Sequence, residues 1–208
     1  PFTRIADLSR RAGISVSQVE ALATAGALRS MGIDRREGLW AAGIAAHERP
    51  GMLPGMSEIS IPSLPGMSAF EFAAADIAST GITADIHPVE LLRKHLDNAG
   101  IVSIRQLASC EDSTRVTVAG TVTHRQRPGT AGGVVFLGLE DETGLANITV
   151  SPGCWTRYRT VAQTSRMVAI RGIVHNAAGA VAVVADRIDS LDTTLGGAAL
   201  AGPSRDFR

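Results

Sequence analysis

The sequence has almost no lysine, little cysteine and no long apolar run, and each shortage closes off a class of explanation. Lys94 is the only lysine among 20 basic residues, so arginine carries the positive charge. A bias of that kind can come from the source genome, and arginine number alone argues for no partner. The 2 cysteines, Cys110 and Cys154, lie far apart, with no second cysteine or histidine at metal-ligand spacing. That spacing argues against a disulfide framework and a structural zinc site, and for free thiols in a reducing cytosol. No run of about 18 apolar residues occurs and no signal peptide opens the chain, so a cytoplasmic protein with no membrane partner is expected. A phosphate-binding GxxxxGK[ST] loop is missing too. The first residue is Pro1 rather than Met, which points to an excised or processed piece.

Net charge is also lacking, but the zero hides a segregation. Residues 1–49 hold seven arginines against five acids (+2), residues 50–112 three basic residues against eight acids (−5), and residues 115–175 seven arginines against three acids (+4). Two mildly basic regions flank an acidic middle, a distribution compatible with nucleic-acid contact at two places.

From Phe2 to about Ala46 the apolar positions recur at helical spacing, with breaks at Gly13 and Gly26. Ile5, Leu8 and Ala12 form one stripe, Ser15 is placed to cap the next helix, and Gly26 to end it. Gly13-Ile14-Ser15 is then a tight hairpin between two helices, and residues 1–48 read as a helix-hairpin-helix module. Three Pro-Gly-Met triplets make residues 49–68 a linker. Helical periodicity returns over 69–112, a helical connector in which His87 before Pro88 is a turn residue.

From Arg115 the period changes to two. Strands are expected at 115–125, 134–139 and 145–150, then a short helix from Pro152 to Ala162, then strands at 167–174 and 180–188. Three strands, a helix and two strands is the order of an OB-fold, so residues 113–192 are expected to be a five-stranded β-barrel and residues 193–208 a flexible tail. The fold class is therefore α+β and multidomain, with an N-terminal all-α module and a C-terminal OB-fold.

OB-folds bind on the outer face of strands 2 and 3, between the loops joining strands 1–2 and 4–5. Parity buries Val135, Leu137 and Leu139 and leaves Phe136 outside; on the next strand it buries Ile148 and Val150 and exposes Asn147 and Thr149. Counted the same way from Val116, Arg125 points outward, so Phe136, Asn147 and Arg125 should share one surface. Arg127 stands in the glycine-rich loop after it, and Arg171 lies off the core face of strand 4. An aromatic platform among arginine and amide groups suits single strands, since stacking is worth ~1–3 kcal/mol per base in any sequence. Trp155 and Tyr158 are expected to plug the barrel end. Gly13, Ile14 and Ser15 fit the other mode, in which backbone N–H groups at a hairpin and helix start meet duplex phosphates.

No catalytic constellation emerges. Glu140, Asp141 and Glu142 cluster in a hairpin turn, where acids are commonly solvated, and no metal or cofactor is assigned.

Phe2-Thr3-Arg4-Ile5-Ala6-Asp7-Leu8, Val19-Glu20-Ala21-Leu22, Ala25-Gly26-Ala27-Leu28 and Asp34-Arg35-Arg36 resemble the helix-hairpin-helix region of bacterial C-family DNA polymerases. Thr80-Gly81-Ile82 with His87-Pro88 is similar to the segment leading to that family's OB-fold, and Gly133–Gly144 to its central hairpin. Arg125-Gln126-Arg127-Pro128-Gly129-Thr130 resembles the error-prone, translesion branch. The resemblance implies a DNA-directed DNA polymerase of damage-induced replication, with duplex held by the hairpin module and single-stranded template near the barrel. The family's catalytic aspartates lie upstream, so this chain alone should be inactive. Residues 49–68 contain no Gln, unlike the clamp-binding peptide of replicative members. Recruitment by accessory translesion proteins that link to the clamp is implied instead. Two other readings stay open: a tRNA-anticodon-binding barrel, which Phe136, Asp141 and Gly144 also resemble, and a protein-interaction module without nucleic acid.

Overall fold

The computed structural model describes residues 2–45, 64–83, 85–177, 180–192 and 205–207. The chain divides into two compact units, Pro1–Gly81 and Ile82–Arg208.

In the first unit, capping signals set the helices. Helix α1 (Ile5–Ala12) stops at Gly13, which sits at φ 64 and ψ 30 and donates its N–H to the Ser9 carbonyl at 2.9 Å. An L side chain is strained in that left-handed region, so glycine is the natural stop. Ser15 then opens α2 (Val16–Thr24): its hydroxyl accepts from the Gln18 N–H while the Gln18 side chain accepts from the Ser15 N–H, a capping box. A 3-10 turn (Arg29–Met31) and Gly32 lead to α3 (Arg35–Ala45). Ile5, Val19, Ala23, Leu28, Ala41 and Ala42 are the buried core.

Helix α4 (Ala69–Thr80) belongs to this unit. Arg35 donates to the Asp76 carboxylate and, at 3.1 Å, to the Phe72 carbonyl, while Arg36 donates to Glu71 at 2.6 Å. The helical connector expected over 69–112 is thus not one piece: α4 falls in the first unit, and α5 (Arg93–Asn98) and α6 (Ile104–Leu107) in the second. Arginine–carboxylate pairs across long sequence separations tie α4 to the first unit, and apolar periodicity does not report them. Of the linker, residues 49–63 lie outside the described residues, and Ser68 is the N-cap of α4.

The second unit is the expected OB-fold barrel. Strands β1 (Arg115–Gln126), β2 (Val135–Asp141) and β3 (Gly144–Val150) precede helix α7 (Pro152–Thr164), and β4 (Met167–Ala177) and β5 (Ala180–Ser190) follow it. β1 pairs antiparallel with β2 and β4, β2 with β3 and β4 with β5; a parallel β3–β5 pairing closes the ring. Leu137, Leu139, Ile148 and Ile170 are fully buried inside, each worth about 1.5–3 kcal/mol against exposure. Ser151 caps α7 and Pro152 takes its first turn. Trp155 and Ala162 enter the core and Tyr158 packs against it, as a plug should.

Asp141 corrects an expectation. The acids of the β2–β3 turn are not a solvated cluster, because the start of α6 and Arg93 take up the Asp141 carboxylate. It accepts from the N–H groups of Ile104 (2.8 Å), Thr143 (2.7 Å) and Gly144 (3.1 Å), from the Thr143 hydroxyl (2.6 Å) and from Arg93 Nη2 (3.1 Å). Arg93 also donates to both Glu142 oxygens, at 2.6 and 3.1 Å. Burial alone would lower the Arg93 pKa, but Glu142 and Asp141 hold it above its ordinary value. The ionised pair stands because every desolvated oxygen has donors.

Three residues of the expected tail form a strand. Residues 193–204 lie outside the described residues, but β6 (Arg205–Phe207) pairs in parallel with His124, Arg125 and Gln126 of β1. β4 pairs with β1 only as far as Thr121, which leaves an open edge beyond it, and open edges recruit strands.

Candidate nucleic-acid interface

The three sequence-predicted hairpin residues lie together at the α1–α2 turn. Gly13 is exposed and left-handed, Ile14 is half-buried against the unit's core, and Ser15 is exposed as the cap. A second turn of the same make follows. Gly32 has φ 75 and Ile33 packs on the same core. Asp34 Oδ1 accepts from the Glu37 N–H at 2.8 Å, while Glu37 Oε2 accepts from the Asp34 N–H at 3.2 Å. Gly-Ile-Ser-x-x-Gln and Gly-Ile-Asp-x-x-Glu are one motif written twice, a signal present in the sequence that single-hairpin reading passes over. Asp34 puts a carboxylate where the first hairpin has a neutral hydroxyl, so the first is the better match for an anion.

On the barrel, one extra residue in β1 decides which side chains face outward. Val122 pairs with Leu139 and His124 with Gly138, so Thr123 is a bulge and the parity of β1 changes there. Arg125 consequently pairs with the core residue Leu137 and points inward; it is 9% exposed. Its Nε donates to the Ala162 carbonyl at 2.7 Å and its Nη2 to the Ser165 carbonyl at 2.5 Å. Expected as an outward phosphate contact, Arg125 is instead a cation at the C-terminal end of α7, where the helix dipole and open carbonyls favour it. His124 takes the outer position.

Phe136 and Asn147 do share the outer face. Phe136 is half-buried between its register partners Gln126 and Thr149, and Asn147 is exposed opposite Gly138. Leu145, 56% exposed, pairs with Glu140 farther along. Within this set Glu140 is the one charge, so positive potential must come from the rim. Arg127 supplies it: exposed just beyond β1, it approaches Gly133 at the far end of the glycine-rich loop. Arg171 is elsewhere, on the face where β1, β4 and β5 meet. It donates to Asp186 at 2.7 Å, and Arg115 approaches the same carboxylate at 3.6 Å.

A helical-hairpin unit followed by an OB-fold barrel defines a nucleic-acid-binding class of protein, and the sequence families agree. Residues 1–38 match a helix-hairpin-helix motif family and residues 116–191 an OB-fold nucleic acid binding domain family. Along its whole length the chain is similar to a segment of bacterial error-prone DNA polymerases. It is 60% identical over 209 residues to the error-prone DNA polymerase of Corynebacterium efficiens and 52% identical over 209 residues to that of Mycobacterium tuberculosis. In both cases all of this chain is matched against 19% of the relative, so it spans about a fifth of their length. Among solved structures, an asparaginyl-tRNA synthetase from Pyrococcus horikoshii matches 50% of this chain and 24% of its own at 21% identity, with a TM-score of 0.39. Among the described residues no helix is long and apolar enough to cross a membrane.

Proposed function

We propose that this chain is the part of an error-prone, DNA-directed DNA polymerase that holds DNA without performing the chemistry. The α1–α2 hairpin of Gly13, Ile14 and Ser15 meets duplex phosphates through main-chain N–H groups at the start of α2 other than those of Gly13 and Ser15, which donate to the Ser9 carbonyl and the Gln18 side chain. Single-stranded template crosses the barrel on Phe136, with Asn147 beside it and Arg127 at the rim. The observation that carries this reading is Phe136, an aromatic side chain set on the outer face of β2 among Gln126, Thr149 and Asn147 rather than in the core. Arg171 is engaged by Asp186 and is given no DNA contact. In this reading the whole polymerase carries out translesion synthesis and is recruited through accessory proteins rather than a clamp peptide in residues 49–68, a reading supported by the similarity to error-prone polymerases and by the lack of Gln there.

Fluorescence anisotropy over a salt series, with a labelled single strand and a labelled duplex, tests the reading. Phe136→Ala should weaken single-strand binding by ~1–3 kcal/mol and leave duplex binding alone. Arg127→Ala should flatten the single-strand salt dependence by about 0.7 in log–log slope, one phosphate's share. Preference for RNA over DNA of the same sequence would favour an anticodon-type barrel. Absence of any salt-dependent binding would favour a protein-interaction module.

A further inference from the structure

We propose that His124, seated on Gly138, is a second base-stacking residue, and that the cross-strand row His124–Gly138–Asn147 is a single-nucleotide site beside Phe136. The proposal rests on the reading that this barrel face takes single-stranded DNA.

Three features build the site. The bulge at Thr123 turns His124 out of the core and sets it opposite Gly138. Gly138 has no side chain, and the imidazole fills the room: a methyl group there would stand 2.1 Å from His124 Cε1 and 2.3 Å from Nδ1. The Thr123 hydroxyl, 3.1 Å from Nδ1 and 3.3 Å from the Gly138 carbonyl, holds the ring against the strand. A ring fixed in this way gives up little rotamer freedom on binding, which is what a stacking platform requires. On the other side of Gly138, Asn147 is exposed. The imidazole lying over the glycine thus presents an aromatic face beside an amide that both donates and accepts, able to meet the polar edge of any base. Gly138 lies two residues from Phe136 on the same face, roughly 7 Å away, so neighbouring nucleotides can occupy the two platforms.

The test measures anisotropy of the 208-residue chain with a labelled oligo-dT of about 12 nucleotides, within the span one OB-fold covers, with urea midpoints recorded for each variant. His124→Ala should weaken binding by about 5- to 150-fold with an unchanged salt slope, because it removes stacking and no phosphate contact. His124→Phe should retain most of the affinity. Gly138→Ala should weaken binding by displacing the ring, and should add nothing in the His124→Ala background. If His124→Ala binds like the wild type while Phe136→Ala is weakened, the His124 site is wrong and the single-strand reading stands. Independent, multiplying losses from Gly138→Ala and His124→Ala would also overturn the seating. If the wild-type chain binds no oligonucleotide, both fall together.

Discussion

In the helical unit the proposed contacts are main-chain groups at a capped helix start, whereas on the barrel they are side chains spread over β1, β2 and β3. The first arrangement depends on a left-handed glycine and a cap a few residues away. The second depends on strand register, on a bulge, and on buried groups far along the chain that keep the strands where they are. Arg125 and Asp141 are such groups: neither lies on the outer face, yet one joins β1 to the end of α7 and the other joins the β2–β3 turn to α6 and Arg93. A surface made of side chains on packed strands should thus be easier to damage from inside than one made of capped helix ends.

The largest effect expected from that contrast is at Asp141. Asp141→Ala takes one carboxylate from Arg93, leaving Glu142 and Asp97, and strips the acceptor from three N–H groups, so the barrel should lose about 3–5 kcal/mol, the usual result of breaking a buried pair from one side. Urea unfolding followed through Trp155 in the barrel core reads it. The matching change in the helical unit, Ser15→Ala, removes one cap and should cost about 1 kcal/mol. Equal losses at the two places would erase the distinction drawn between the units.

Next in size is the pair Arg125 and Arg127, two residues apart in sequence. Arg125→Met leaves the Ala162 and Ser165 carbonyls without its guanidinium and should destabilise the barrel by about 2–4 kcal/mol. Arg127→Met should stay within about 0.5 kcal/mol, as exposed substitutions do, while weakening single-strand binding. If Arg125→Met unfolds no earlier than the wild type but binds DNA less well, the inward assignment of Arg125 is wrong.

That pair also marks how far the sequence can be read. The element order of the barrel, its core positions on β2 and β3, and the outward setting of Phe136 and Asn147 were all legible, because alternation over five or six residues is a local signal. Arg125 was misplaced for the same reason: counting by twos from Val116 is sound until a bulge adds a residue, and Thr-His-Arg carries no mark of where that happens. The bulge is fixed by β2, through the bare Gly138 that lets the His124 ring lie down. Asp141 and Arg93 are separated by 48 positions, so their pairing has no local trace, and the tie of α4 to the first unit through Arg35 and Asp76, 41 positions apart, has none either. The second hairpin is the opposite case. Its Gly-Ile-Asp-x-x-Glu stood in plain view and needed only comparison with Gly-Ile-Ser-x-x-Gln.

The smallest effect is one of pH, and it separates the two units without touching either surface. His87 is half-buried at the start of the second unit, and its Nδ1 accepts the Val89 N–H at 3.2 Å, which requires that nitrogen to be unprotonated. Burial pushes its pKa below the ordinary 6.5, although Glu140, Glu142, Asp141 and Glu90 pull the other way. Above pH 6.5 the ring is neutral in both folded and unfolded chains, so it adds no pH dependence there. As pH falls below 6.5 the unfolded chain takes the proton first, and stability declines until the folded ring titrates too. Among the described residues of the helical unit the shifted groups are Asp7 and Glu71, both lowered, Asp7 chiefly by its hydrogen bond from Arg11 and Glu71 by those from Ser68. Their contribution is present above the unfolded values of 3.8 and 4.5 and is lost only as pH falls through the folded ones. Between pH 7 and pH 5 the barrel should therefore weaken while the helical unit holds. The sequence has 2 tryptophans, Trp40 in the first unit and Trp155 in the second, so Trp155→Phe and Trp40→Phe variants report the two units separately. His87→Asn keeps an acceptor for Val89 without a titrating group and should abolish the decline seen through Trp155; a decline that persists in that variant would remove His87 as its cause.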